Sequence, residues 1–422
     1  MKKPKIAIIT LRNQYKYGGT HASQRAVFNF CKLYFEPTLF FLSFEKDISA
    51  HLRPFKTTSR NRTGTHNGMP CVEIGARWAF WEPAHYAATL EQWQEALASY
   101  DYFFVVSGTP IAAHHLALMN KRFVLWPAST YQHDRQQRAE KMRGLRKFID
   151  RLAQPLMLAI ERLVLKKVSF VWPLSSYTHQ LIKDVVPNFN RPYAVCGFPI
   201  DYQPTTLHTP TNEKIIIAIG RFNDPRKNPR MLFRAFEKIY QQCPDAKLFI
   251  IGSEPHPFDT LPFVNQPSFK NIVFTGELDR TSLLVFYQRA TLMLISSYQE
   301  GLNIAGLEAL AHGVPVISTD CGGIRDYVIN DRTGYVVALD DDALMADHAC
   351  ALLKDNKKIE ELKSAISIFM KNNFSLEQIH AIFKRGLLCA YPELKPWFER
   401  VEKVNHEDTR HQPHVHNTDQ PR

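Results

Sequence analysis

Five short apolar runs, at 214–220, 247–252, 271–275, 291–296 and 315–318, alternate with helical patterns at 229–240, 281–289, 304–312 and 341–354. A turn or cap signal follows each run. Strands that are apolar throughout and separated by helices are buried on both faces. The pattern therefore demands a parallel sheet in a doubly wound α/β lobe. The front half repeats the theme less regularly. Strands are predicted at 5–10, 38–44, 102–107, 123–126 and 170–173, and helices at 22–33, 86–99, 110–119 and 177–186. Residues 48–70, rich in Arg, Thr, Asn and Gly, read as an exposed loop, and 201–212, with Pro204 and Pro210, as a linker. Two such lobes enclose a cleft, and ligands of these sheets bind outside the carboxyl ends of the strands.

Charge divides the chain the same way. Residues 1–205 carry 27 Lys/Arg and 14 Asp/Glu, whereas the remainder is near neutral, within a net charge of +11. A basic front lobe favours an anionic partner. The apolar part of the basic N-terminus is too short for a signal-peptide core and reads as a buried strand. No run reaches the ~20 residues that span a bilayer. The seven cysteines are scattered without metal or redox spacing. A cytoplasmic chain with reduced thiols is the expectation.

The chemistry concentrates in SSYQEGLNIAGLEALAHGVPVISTDCGG at 296–323. A strand ends at Ser296, a turn presents Glu300 and Gly301, and a helix begins near Leu302 or Asn303. The start of a helix offers free amides and partial positive charge to a phosphate, and Gly301 allows close approach. Glu308, acceptor-only when ionised, suits a vicinal diol. Taken as isolated glutamates, the two would read as a helix cap and a solvated side chain. The apolar neighbours of Glu308 weigh against solvation. Upstream, IGRFNDPRKNP at 219–229 sets Arg221, Arg226 and Lys227 between a strand and a helix. Arg supplies a planar fork for phosphate and Lys a point charge, although a solvated basic loop fits this segment equally well.

These two segments, with GGIRDYVINDRTGYV at 322–336, resemble the donor lobe of retaining glycosyltransferases of the GT-B fold, specifically glycosyltransferase family 4 (glycosyl transferases group 1). Weaker likenesses are Tyr17-Gly-Gly-Thr20, SSYTHQ at 175–180 and GFPID at 197–201. The resemblance implies two Rossmann-like doubly wound lobes facing a cleft. An acceptor-binding lobe would span 1–203 and a donor lobe 204–374, a crossover helix at 375–401 would return to the first lobe, and 402–422 would be a disordered tail. It implies that Arg221 and Lys227 neutralise the donor diphosphate, with Arg226 competing for the place of Lys227. Glu300 would face the donor sugar and Glu308 the ribose. The amides of Leu302 and Asn303 would reach the distal phosphate or sugar, beside Gly301, and Gly19 would let the first lobe approach the donor. Many members carry a histidine soon after the strand matching 123–126. Here PASTYQHD follows at 127–134, so His133, Ser129 and Thr130 are the candidates.

The implied reaction moves a sugar, with retention, from a nucleotide-diphosphate sugar to a glycan or lipid-linked acceptor, with neither bound cofactor nor metal. A sugar-nucleotide epimerase and a non-catalytic nucleotide-sugar-binding subunit are the alternatives. Asp340-Asp-Asp342 reads as a helix cap rather than a metal site. Residues 135–167 hold ten Lys/Arg and three Asp/Glu interleaved with leucines, which predicts one or two basic amphipathic helices divided near Pro155. An anionic membrane surface is a candidate partner there; nucleic acid is not, since no recognition module is present.

Overall fold

A computed structural model describes residues 2–11, 19–45, 60–76, 90–139, 144–200 and 213–410. The expected linker at 201–212 and the tail beyond 410 lie outside the described residues, as does the start of the Tyr17–Thr20 motif.

The first lobe is built from β1 (Lys5–Ile9), α1 (Gly19–Tyr34), β2 (Glu36–Ser43), β3 (Asn61–His66), β4 (Met69–Gly75), α2 (Leu90–Leu97), β5 (Tyr102–Ser107), α3 (His114–Leu118), β6 (Val124–Pro127), α4 (Tyr131–Ala139), α5 (Gly144–Lys167), β7 (Phe170–Val171) and α6 (Ser176–Val185). Its strands lie in the order β3-β4-β2-β1-β5-β6-β7. All neighbouring strands run parallel except β3 and β4. Alternate residues of β1 enter different cores. Ile6 and Ile8 pack with Val27 and Cys31 of α1, whereas Ala7 and Ile9 pack with Trp93 and Val164. The sheet is thus buried on both faces, which is why its strands read as unbroken apolar runs.

The second lobe comprises β8 (Ile215–Arg221), α7 (Pro229–Gln242), β9 (Lys247–Ser253), β10 (Ile272–Gly276), α8 (Arg280–Arg289), β11 (Leu292–Ile295), α9 (Ile304–Ala311), β12 (Val316–Thr319), β13 (Gly334–Val337), α10 (Asp342–Lys354) and α11 (Asn356–Asn373). Its strand order is β10-β9-β8-β11-β12-β13, parallel throughout. The order reverses between β8 and β11, so the loops after these two strands open a crevice at a topological switch point. The chain then continues through α12 (Leu376–Ala390) and α13 (Lys395–Arg410). Phe383 of α12 sits 5.0 Å from Trp126 and 5.3 Å from Trp172, ring centre to ring centre, and so packs on the first lobe. Trp397 of α13 donates to the Tyr34 carbonyl (2.8 Å).

Four expectations change. The described part of the supposed 48–70 loop is a hairpin, β3–β4, turning at Asn67 (φ 52°) and Gly68 (φ 77°). Positive φ at both turn residues makes an Asn-Gly hairpin turn, and the polar β3 is an exposed edge strand without alternation to betray it. The basic segment does not divide at Pro155, because α5 runs through it. Pro155 lies on the exposed side of the helix, where a missing backbone hydrogen bond is least costly. The closing helix is broken at Pro392, after the buried Tyr391, and continues as helix to Arg410 instead of stopping near 400. Asn356–Asn373 adds a helix that was not predicted.

Candidate active site

The loop after β8 and the loop after β11 meet at the switch point. Lys227 Nζ lies 2.6 Å from Glu300 Oε1, both side chains being mostly buried. Ser297 Oγ (2.8 Å) and Asn303 Nδ2 (3.1 Å) donate to the same carboxylate oxygen. The loops are also stitched through backbone. Tyr298 N donates to the Arg226 carbonyl (2.7 Å) and Ser296 Oγ to the Lys227 carbonyl (2.8 Å). The cation and the carboxylate are therefore placed by two adjoining strand ends.

Both loops run into helices through left-handed asparagines, which tolerate that conformation better than most residues. Asn228 (φ 47°) caps α7 through the Met231 amide, and Asn303 (φ 61°) caps α9 through the Gly306 amide. The amides of Leu302 and Asn303 find no acceptor among the described residues. They are the free donors that an anion at a helix start would use.

Arg226 differs from Lys227. Its fork is spent on Asp224 (Nε–Oδ2 3.0 Å, Nη2–Oδ2 2.6 Å), and Asp134 of the first lobe lies 3.8 Å away. Burial works against ionisation of Asp224, but the hydrogen bonds and charge of Arg226, with Arg221 nearby, outweigh it and hold the carboxyl at about 2. Arg221 ends β8 and is exposed, without an ion pair among the described residues. Glu308 lies one helical turn inside α9, where burial raises its pKa and Tyr287 donates to it (3.0 Å).

The first lobe closes over this crevice. A methyl group added at Gly19, the start of α1, would touch Ile304 Cδ1 at 3.6 Å. At Gly301 it would strike the Ala128 carbonyl at 2.6 Å, and at Gly323 the Gly301 carbonyl at 1.9 Å. Two glycine-bearing helix starts thus face each other across the lobes. Asp326 accepts from the Ser176 amide at the start of α6 (2.6 Å), a second junction between the lobes. His133 of α4 bonds Tyr177 Oη through Nε2 (2.8 Å), and burial is the main cause of its lowered pKa. The ring of Tyr177 lies against Gly322. His133 therefore reaches the rim of the crevice through Tyr177. Ser129 and Thr130 instead serve the backbone, Thr130 accepting from the His133 amide (3.4 Å).

The structure thus brings Lys227, Glu300, Gly301, Leu302, Asn303 and Gly19 to one place. Arg221 and His133 lie at its margins, Glu308 deeper along the helix, and Arg226 is engaged by Asp224. Sequence reasoning missed Asp224, Ser297, Tyr177, Tyr287 and Asp326. Asp224 alone left a signal, an Asp-Pro before a basic pair. Among Asp340–Asp342, Asp341 caps the Leu344 amide, while Asp340 and Asp342 pair with Arg234. The cap reading holds.

Two doubly wound lobes with a shared crevice define a GT-B protein. Solved structures agree on the fold. Sucrose-phosphate synthase from Thermosynechococcus elongatus superposes with a TM-score of 0.68 at 17% identity, over 91% of this chain and 98% of that one. The Anabaena protein HepE in complex with UDP gives 0.66 at 14% identity, over 91% and 99%. Residues 213–355 match the family Glycosyl transferases group 1, and the second lobe belongs to it. Among curated proteins, N-acetyl-alpha-D-glucosaminyl L-malate synthase of Bacillus anthracis is 35% identical over 147 residues, 35% of this chain and 38% of that protein. A lipopolysaccharide core biosynthesis mannosyltransferase of Rhizobium meliloti is 32% identical over 109 residues, 25% of this chain and 30% of that protein. These matches span less than two fifths of the relatives' length.

Proposed function

We propose that this chain transfers a sugar from a nucleotide-diphosphate sugar to a glycan or lipid-linked acceptor, with retention, in the synthesis of a cell-surface polysaccharide or glycolipid. The observation that carries the reading is the convergence of Lys227, Glu300 and the free amides starting α9 at the switch point, opposite Gly19. Lys227, with Arg221, balances the negative charge that grows on the leaving diphosphate. The α9 amides hold its distal end, so side chains and amides rather than a metal supply the counter-charge. Glu300 supports the positive charge developing on the sugar. His133 borders the same sugar, and Glu308 holds the ribose. The leaving phosphate oxygen takes the acceptor's proton on the same face, so the protein contributes orientation and electrostatics. The sugars named for the group 1 relatives support the substrate class.

Thermal shift against a panel of nucleotide sugars tests the donor, because binding stabilises the fold by mass action. A rise of several degrees with one sugar nucleotide, followed by transfer to an added acceptor, is expected. Turnover without acceptor would instead indicate an epimerase, and binding without turnover a non-catalytic subunit.

We also propose that the first lobe docks on an anionic membrane at the cytoplasmic face. All seven cysteines are free thiols, as a reducing compartment would leave them. Among the described residues no helix is long and apolar enough to cross a membrane. On α5, Phe148 (60% exposed), Leu152 (64%) and Leu156 (45%) form an exposed line at helical spacing, with Lys147 and Arg151 beside it. Residues 135–151 hold seven Lys/Arg against two Asp/Glu, so two copies of this face would repel. Vesicles containing anionic lipid should retain about ten-fold more protein than neutral ones. Phe148→Ser with Leu152→Ser should abolish retention while sparing turnover of a soluble acceptor. Equal retention on both vesicles would refute docking.

A further inference from the structure

Glu161 is a charged residue in an apolar place. It lies on the inner face of α5 with Met157, Ile160, Val164 and Leu165, and its side chain is wholly buried. A carboxylate there is costly unless its oxygens are taken up. They are: Oε1 accepts the Tyr131 amide (2.6 Å) and Oε2 the Gln132 amide (3.4 Å). These are the first two amides of α4, orphans of the helix start that a local cap would ordinarily serve. Thr130 takes the third, that of His133. The start of α4 is therefore held by an acid thirty residues further along the chain.

That start carries residues of the crevice. His133 bonds Tyr177, whose ring lies against Gly322, and a methyl group at Gly322 would also approach the Glu300 carbonyl at 2.8 Å. Asp134, next along α4, faces Arg226 of the other lobe. A shift of the first turn of α4 would move both.

We infer that Glu161 is a positioning residue for sugar transfer: by capping α4 from the buried face of α5, it sets where His133 and Tyr177 meet the donor crevice. The inference rests on the proposed role of His133 beside the donor sugar. The donor diphosphate is held on the other lobe, so loss of Glu161 acts on turnover more than on donor binding. Small misplacements remote from the chemistry can cost up to about a hundred-fold.

The test is a kinetic cycle on the full chain, with thermal melts as the folding control. Glu161→Gln keeps the shape but loses one acceptor. It should lower kcat about ten-fold while the donor KM stays within about two-fold. In a His133→Ala background the same change should cost nothing further. Should Glu161→Gln fail to fold, Thr130→Val, which uncaps the third amide, is expected to show the same dependence on His133. Equal losses in both backgrounds would overturn the proposal, since a general structural weakening is additive. If His133→Ala is slow and Glu161→Gln is not, the proposal alone falls. If His133→Ala turns over at the wild-type rate, the role of His133 falls and takes the proposal with it.

Discussion

Lys227→Ala is expected to slow sugar transfer roughly 10²–10³-fold, the usual cost of removing one preorganised group from a developing charge. The ammonium is fixed 2.6 Å from Glu300 and mostly buried, whereas Arg221 is exposed at the margin of the crevice, so the remaining cation does not take its place. Arg226 is the obvious competitor by sequence, but Asp224 occupies its fork. Arg226→Ala should therefore cost markedly less than Lys227→Ala. Glu300→Gln should slow transfer to a similar degree as Lys227→Ala, and the double variant should fall short of the sum, because each group orients the other. Initial rates at saturating donor, with melting temperatures as control, decide the matter. Wild-type turnover in Lys227→Ala, or a larger loss in Arg226→Ala, would remove the diphosphate role from Lys227.

The parts of this site that were legible beforehand lie on parallel strands and their adjoining turns. β8 as far as Gly220 and all of β11 are apolar because both faces of the sheet are covered, so their ends, and hence Lys227 and Glu300, could be placed by eye. The amides of Leu302 and Asn303 followed from the helix start alone. What could not be read were the partners of individual side chains, most of them distant in sequence. Nothing in the stretch around Glu308 points to Tyr287, yet Tyr287 bonds it. The Asp-Pro before the basic pair marks Asp224, but not that Asp224 rather than a ligand fills the fork of Arg226. Glu161, among leucines at helical spacing, passes for one acid in a basic amphipathic helix, because its amide partners lie across a turn of the fold. The β3–β4 hairpin escaped for another reason. An edge strand with one exposed face and few apolar residues carries no periodic signal, and only Asn67-Gly68 marks it.

The pH dependence of stability offers the second large effect. Burial drives the Glu161 carboxyl up to about 7, against the pull of the Tyr131 and Gln132 amides and of Arg162. In the unfolded chain it titrates near 4.5. Between these values the folded protein keeps a proton that the unfolded chain has lost. The stability this contributes is complete below about 4.5 and disappears as pH rises through about 7, a loss of about 3 kcal/mol. Other groups titrate in the same range. Burial lowers the pKa of His115, His133, His179, His348 and His380, so these favour the folded state as pH rises. Those outside α4 are common to wild type and Glu161→Gln and cancel in the difference, and repeating the pair in a His133→Ala background removes His133 as well. Urea unfolding of both proteins between about pH 5 and about pH 8 should show Glu161→Gln gaining most of that 3 kcal/mol over the wild type as pH rises. A flat difference would mean that the amides of α4 offset the burial of the charge. The same variant should then lose turnover where it gains stability, which separates holding α4 in place from holding the protein together.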